Sequence, residues 1–172
     1  MPLIKGGRFV ADTWHHLDDD EPVPGDAPRL TISYARWLKE RDALAALPTQ
    51  LGLRVPNDVA VAKIAGDLDR FTLIVLNFPK FTDGRAYSQA RLLRGRQRFT
   101  GELRATGEVL RDQLLFMRRV GFDAFAVSER AHFENWLAAF REIDVFYQPA
   151  EDHQMSRLRR RMLGTAADFT VA

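Results

Sequence analysis

Two polar clusters in this chain hold the residue types that could do chemistry. The first, Lys80, Asp83, Gly84, Arg85, Tyr87 and Ser88, follows the apolar run Leu73 to Phe78; the second, Arg104, Thr106, Gly107, Glu108, Arg111, Asp112 and Gln113, follows or closes the short run Gly101 to Ala105. If both apolar runs are parallel strands, the two clusters emerge on one edge of the sheet and their side chains converge. Lys80, Arg85, Arg104 and Arg111 then make a positive site, aided by backbone N–H groups at two helix starts, with Tyr87, Gly107 and Gln113 completing a binding set. Such a site suits a small oxyanion, a phosphorylated or carboxylated molecule, or an acidic patch on another protein. Asp83, Glu108 and Asp112 are the acid/base candidates, the only carboxylates in these clusters. The same residues have structural uses: Asp83 as a helix N-cap, Glu108 as a helix-dipole complement, Gly84 and Gly107 in turns, Arg111 with Asp112 as a surface ion pair.

Other chemistry is poorly supported. No GxxxxGK phosphate loop, dinucleotide glycine fingerprint, HExxH or GxSxG pattern occurs. His15 and His16 lie beside Asp18, Asp19, Asp20 and Glu21, but adjacent donors in a loop lack the preorganisation of a tight site, so a solvated acidic loop is expected and no metal. His132 and His153 are isolated. There is no recognisable motif for haem, flavin, nicotinamide or iron–sulfur, and no cofactor is expected.

The elements that must position these clusters read as an α/β domain. About four parallel strands alternate with helices: 51–55, 72–78, 101–105 and 123–127. That pattern fits an open three-layer sheet or a half (β/α) barrel, completed in the second case by a homodimer; a full eight-unit barrel needs about 250 residues, more than the 172 present. A small hairpin precedes them, with Lys5-Gly6-Gly7 turning between Leu3-Ile4 and Arg8-Phe9-Val10. Residues 15–28 form an acidic, proline-rich loop. Ser33 caps a helix reaching about Leu47; further helices are expected from Pro56-Asn57-Asp58 to about Asp69, after Thr82 or Asp83, from Glu108 to Val120, and from Arg130 to Ile143. The aromatic stripe Phe133, Trp136, Leu137 and Phe140 reads as core or subunit contact. Residues 1–148 make one domain; 149–172 form a basic, flexible tail whose run Arg157 to Arg161 lacks the interleaved aromatics of a nucleic-acid arm.

Composition bounds the class. Hydrophobic residues are 46%, charged residues 28% and the net charge is +2, which demands neither nucleic acid nor a membrane as partner. The absence of cysteine removes disulfides, thiol nucleophiles and cysteine-held metals and fits a reducing cytoplasm. No run approaches the roughly 20 apolar residues of a membrane span, and no signal peptide opens the chain.

The stretches FPKFTDGRAYSQARLLR and GELRATGEVLRDQLLFMRRVGFDAF, with GGRFVADTW and TISYARWLKERDAL near the N-terminus, closely resemble the bacterial family known as domain of unknown function 934. The resemblance spans roughly residues 3–148. Its motif positions here are Phe78, Pro79, Lys80, Phe81, Asp83, Gly84, Arg85, Tyr87, Arg104, Gly107, Arg111, Asp112 and Gln113. Glu108 stands where relatives often carry aspartate. Val120 stands where many are expected to carry cysteine, so a thiol there is not essential to the shared function. The resemblance implies a place in assimilatory sulfate/sulfite reduction, where members are commonly encoded beside sulfite reductase and labelled oxidoreductases. The expected function is therefore an accessory protein that binds an anion or a partner such as sulfite reductase or another sulfate-assimilation enzyme. The alternative is a small enzyme, an oxidoreductase of the same pathway, acting on an anionic substrate.

Overall fold

The N-terminal hairpin forms as its glycines dictate. In the computed structural model, which describes residues 2–127, 133–140 and 150–151, β1 (Leu3–Lys5) pairs with β2 (Arg8–Val10) in the register Leu3 to Val10 and Lys5 to Arg8. Gly6 and Gly7 both take positive φ, 59° and 71°, the conformation a two-residue hairpin turn of this hand requires.

Six parallel strands follow: β3 (His15–His16), β4 (Arg29–Ser33), β5 (Gln50–Val55), β6 (Phe71–Phe78), β7 (Glu102–Gly107) and β8 (Ala124–Ala126). The order across the sheet is β2-β1-β8-β7-β6-β5-β4-β3, with β1 antiparallel to β8. Every crossover from β4 to β8 returns to the adjacent position, without the reversal that defines a doubly wound sheet, so the connectivity is that of a half (β/α) barrel. Curling follows from chain length. Val10 and His15 lie in opposite edge strands, and the connection between them spans at most ~18 Å. Eight flat strands would hold those edges ~33 Å apart.

Two of the parallel strands were not expected. Arg29–Ser33 runs directly into the helix it feeds, so the helical pattern masks it, and β3 has only two residues. The acidic segment 15–28 is also more anchored than its composition suggests. Leu17 is fully buried, Arg36 donates to the carbonyls of Asp18 and Glu21 at 2.6 and 2.7 Å, and Arg54 donates to that of Leu17. Burying one leucine is worth about 1.5–3 kcal/mol, whereas exposed ion pairs give about 0.2–1 kcal/mol, so Leu17 and the two arginines hold this loop rather than its carboxylates.

The helices are shorter than periodicity implied. α1 (Tyr34–Ala45) is capped by Ser33, which accepts the Arg36 N–H at 3.0 Å. Residues 59–69, expected as a helix, form two 3-10 turns, Val61–Lys63 and Ala65–Arg70. α2 (Arg85–Arg91) runs into a wider π turn, Leu92–Arg96. The segment after β7 stays extended until a 3-10 turn at Arg111–Gln113 and then α3 (Leu114–Arg119). α4 (Phe133–Ala138) carries buried Trp136. The expected end of that helix at Ile143, His132, His153 and the Arg157 to Arg161 run lie outside the described residues.

The sheet has two distinct faces because strand side chains alternate. Leu30, Ile32, Leu53, Val55, Ile74, Leu76, Phe78, Leu103, Ala105 and Phe125 face the helices and form the main core with Trp37, Leu44, Leu93 and Met117. The opposite face, on the inside of the curl, carries Thr31, Gly52, Leu73 and Glu102 in one row and Ser33, Arg54, Val75, Arg104 and Ala124 in the next.

Candidate functional site

The two expected clusters do meet at the C-terminal ends of β6 and β7. The Glu108 N–H donates to the Phe78 carbonyl at 2.8 Å, the Phe81 N–H to Glu108 Oε2 at 3.0 Å, and Gln113 Nε2 to the Phe81 carbonyl at 3.1 Å. Gly107 makes the contact feasible: its φ is +88°, and a Cβ there would sit 2.3 Å from the Phe78 oxygen. No side chain fits that position.

Two of the carboxylates at this junction, Asp83 and Glu108, are already engaged. Asp83 accepts from Arg85 Nη2 and from Asn57 Nδ2, each at 2.7 Å, and from the Arg85 backbone N–H at 3.2 Å. The hydrogen bond from the Arg85 side chain, then that N–H and Asn57, hold its carboxyl well below the usual carboxylate range. The N-cap position of α2 is Gly84 without a side-chain cap, and Asp83 ties the turn after β5 to the start of α2. Glu108 spans the two loops rather than facing outward alone. Asp112 is exposed and bears on Tyr87: burial first, and the Asp112 charge second, push the Tyr87 phenol up. Tyr87 lies edge-on to Phe78 and against Phe116, both ring centroids at 5.0 Å.

The cations divide. Lys80 and Arg85 are exposed at the junction, Arg85 in its pair with Asp83. Arg111 donates through Nε to the Asn135 carbonyl at 2.6 Å. Arg104 is elsewhere: it lies mid-strand on the inside of the curl, 2% exposed, bonded to Glu102 at 2.9 and 3.0 Å and to Asp12 at 2.7 Å. The structure thus brings Lys80, Asp83, Arg85, Tyr87, Gly107, Glu108, Arg111, Asp112 and Gln113 to one end of the sheet and leaves Arg104 out.

Around that junction three large apolar side chains stand exposed: Phe81 at 47%, Leu110 at 38% and Phe116 at 55%. A cavity of about 500 Å³ opens beside it, between the turns after β5 and α2, and Asn57, Asp58, Arg85, Ser88 and Gln89 border it. Gln89 is buried, and its amide nitrogen bonds the carbonyls of Pro56 and Val59 at 2.8 Å each.

A polar network inside the curl escaped the sequence reading. Asp12 Oδ2 meets both Arg104 Nη1 and His16 Nε2 (3.0 Å), and His16 Nδ1 meets Thr31 Oγ1 at 2.7 Å. Burial alone would raise the Asp12 carboxyl, but hydrogen bonds from His16 and Arg104, with the Arg104 charge, hold it well below the usual range. Lys5 extends the chain through Glu102 at 2.6 Å. The alternation Glu102, Arg104, Thr106 in ELRATG was the available signal, since it puts three polar residues on one face of a strand. Among the described residues no group of three or more His, Asp or Glu side chains is placed to hold a metal ion, and no helix is long and apolar enough to cross a membrane.

No curated protein matches the sequence. The model of one family, described as "Bacterial protein of unknown function (DUF934)", matches residues 52–157, from inside β5 through β8 and beyond. That is more than half of the chain, and the chain belongs to this family.

Proposed function

We infer that the protein is an accessory factor that docks on a partner enzyme through the C-terminal end of its sheet, the partner belonging to assimilatory sulfate/sulfite reduction. The observation that carries the docking reading is the exposed set Phe81, Leu110 and Phe116, flanked in sequence by Lys80, Arg111 and Asp112. An apolar centre within a charged rim is the composition of protein interfaces. Two of the acid/base candidates support it from the other side: Asp83 and Glu108 already hold the loop junction together. The pathway comes from the family resemblance alone.

The test is affinity capture from cells growing on sulfate as sole sulfur source, using the full chain and a Phe81→Ser/Phe116→Ser variant. The reading expects sulfite reductase or a neighbouring enzyme of the pathway to co-purify with the first and not with the second. No such partner, together with unimpaired growth of a deletion strain on sulfate, sinks it.

The cavity beside Arg85 favours the second reading, a small enzyme, here one holding an anionic substrate between Arg85 and Ser88. Purified protein would then turn over a pathway intermediate, with loss in Asp112→Asn or Glu108→Gln. Unchanged turnover in both variants removes those two assignments.

A further inference from the structure

At the other end of the sheet, where β7 and β8 begin, a cavity of about 540 Å³ lies between the hairpin turn Gly6-Gly7, the start of β7, α3 and Phe140 in the turn after α4. Its apolar wall is made of Phe122, Phe125 and Phe140, with the Phe125 and Phe140 rings 5.5 Å apart. Its volume falls in the range of small-molecule pockets, about 300–1,000 Å³.

The charges around it do not cancel. Both carboxylates in the lining are taken: Glu102 accepts from Lys5 and Arg104, and Asp123 accepts from Arg94 and from the Leu103 N–H. Arg118, also in the lining, has no ion-pair or hydrogen-bond partner among the described residues; its guanidinium stands 5.4 Å from the Phe140 ring centroid and its Nε is buried unbonded. Arg118 as a whole is half-buried, so its remaining guanidinium nitrogens are open to a counter-charge that the described residues do not supply. Cation–π contact with Phe140 offsets only part of that lack.

We propose that this cavity is a binding site for a small organic acid with an aromatic or apolar body, its carboxylate or other anionic head paired with Arg118 and its body among the three phenylalanines. An inorganic anion would satisfy the arginine and make no use of the phenyl wall, while a neutral aromatic would pack on that wall and leave the arginine unpaired. The combination selects a molecule with both parts. The site is separate from the docking face and stands or falls without it.

Titration of the full chain with phenylacetate, followed through the amide resonances of Gly6, Gly7 and Gly101, tests this. Saturable shifts at these three glycines are expected. Arg118→Gln should weaken binding about tenfold or more, as loss of a charge-assisted hydrogen bond implies, and Arg118→Lys should recover part of it. The neutral analogue 2-phenylethanol should bind the unmodified protein at least about tenfold more weakly on the same ground, an arm that needs no variant to fold. Absence of saturable shifts, equal binding of the alcohol, or undiminished binding in Arg118→Gln each overturns the proposal.

Discussion

Asp12 and Arg104 lie 92 positions apart in sequence, and their side chains meet at 2.7 Å inside the curl of the sheet. The segment between β2 and β3 is pinned by this contact to β7, a strand that neither of its neighbours touches. Arg104 is 2% exposed and Asp12 25%. Removing the carboxylate from a nearly buried guanidinium leaves a charge to be carried by Glu102 alone. Asp12→Asn is therefore expected to lower unfolding free energy by about 1–3 kcal/mol, read by urea denaturation. Full loss of the fold would contradict the two-carboxylate arrangement around Arg104.

The same carboxylate sets an acid limit. Its folded value is depressed below the ordinary 3.8, so its contribution is fully present above about pH 4 and is lost as pH falls towards the folded value. Stability measured between neutral pH and pH 2 should decline on the acid side, and the decline should be shallower in Asp12→Asn. Parallel profiles for the two proteins would remove Asp12 from the acid response.

Gly84 and Gly107 look alike in sequence, each at a turn after a strand, yet they differ in what they permit. A Cβ at Gly84 meets nothing nearer than Tyr87 at 3.8 Å, at negative φ, whereas one at Gly107 strikes the Phe78 carbonyl at 2.3 Å. Gly84→Ala should stay within about 0.5 kcal/mol of the parent. Gly107→Ala should cost at least about 2 kcal/mol, since backbone strain alone costs about 1–3 kcal/mol and the clash adds to it. Thermal denaturation of the pair separates them.

Ser33 ends β4 and caps α1 in one residue, accepting the Arg36 N–H. Ser33→Ala should cost about 1 kcal/mol and Ser33→Asp should restore most of it, measured by urea denaturation. Equal stability of Ser33→Ala and the parent would mean that Arg36, held by Asp18 and Glu21, fixes the helix start without the cap.

What the sequence made legible follows from where side chains settle the outcome locally. The run Leu73 to Leu76 has to be buried on both faces, Gly6-Gly7 has to turn, and Ser33 has to cap; all three are so placed. The helix expected from Glu108 fails because Gly107 holds the chain against β6 and the Glu108 N–H and carboxylate are spent across the junction, so winding starts only at Arg111. Residues 59–69 have helical apolar spacing but settle for 3-10 turns over buried Val61, Ile64 and Leu68. In the candidate site, the loops could be located from strand ends, and their mutual contact held. Arg104 departs from its expected place because strand alternation, not adjacency to a turn, sets its direction and puts its side chain on the inside of the curl with Glu102. Asp12, with no periodicity around it, gave no sign of a partner so distant in sequence.

The pairing of β1 with β8, Leu3 opposite Ala126, has a consequence for the order in which the chain can become a protein. Among the described strands, β1 has no native neighbour except its own hairpin partner until β8 exists. At ribosomal rates of about 5–20 residues per second, that interval is roughly 6–25 s. The hairpin is thus a latecomer to the sheet although it precedes the other described strands in the chain, and the flank of β8 stays open until the hairpin docks on it. Contacts of such sequence separation slow folding. They also make the docking of this hairpin on β8 a late step in closing the curl.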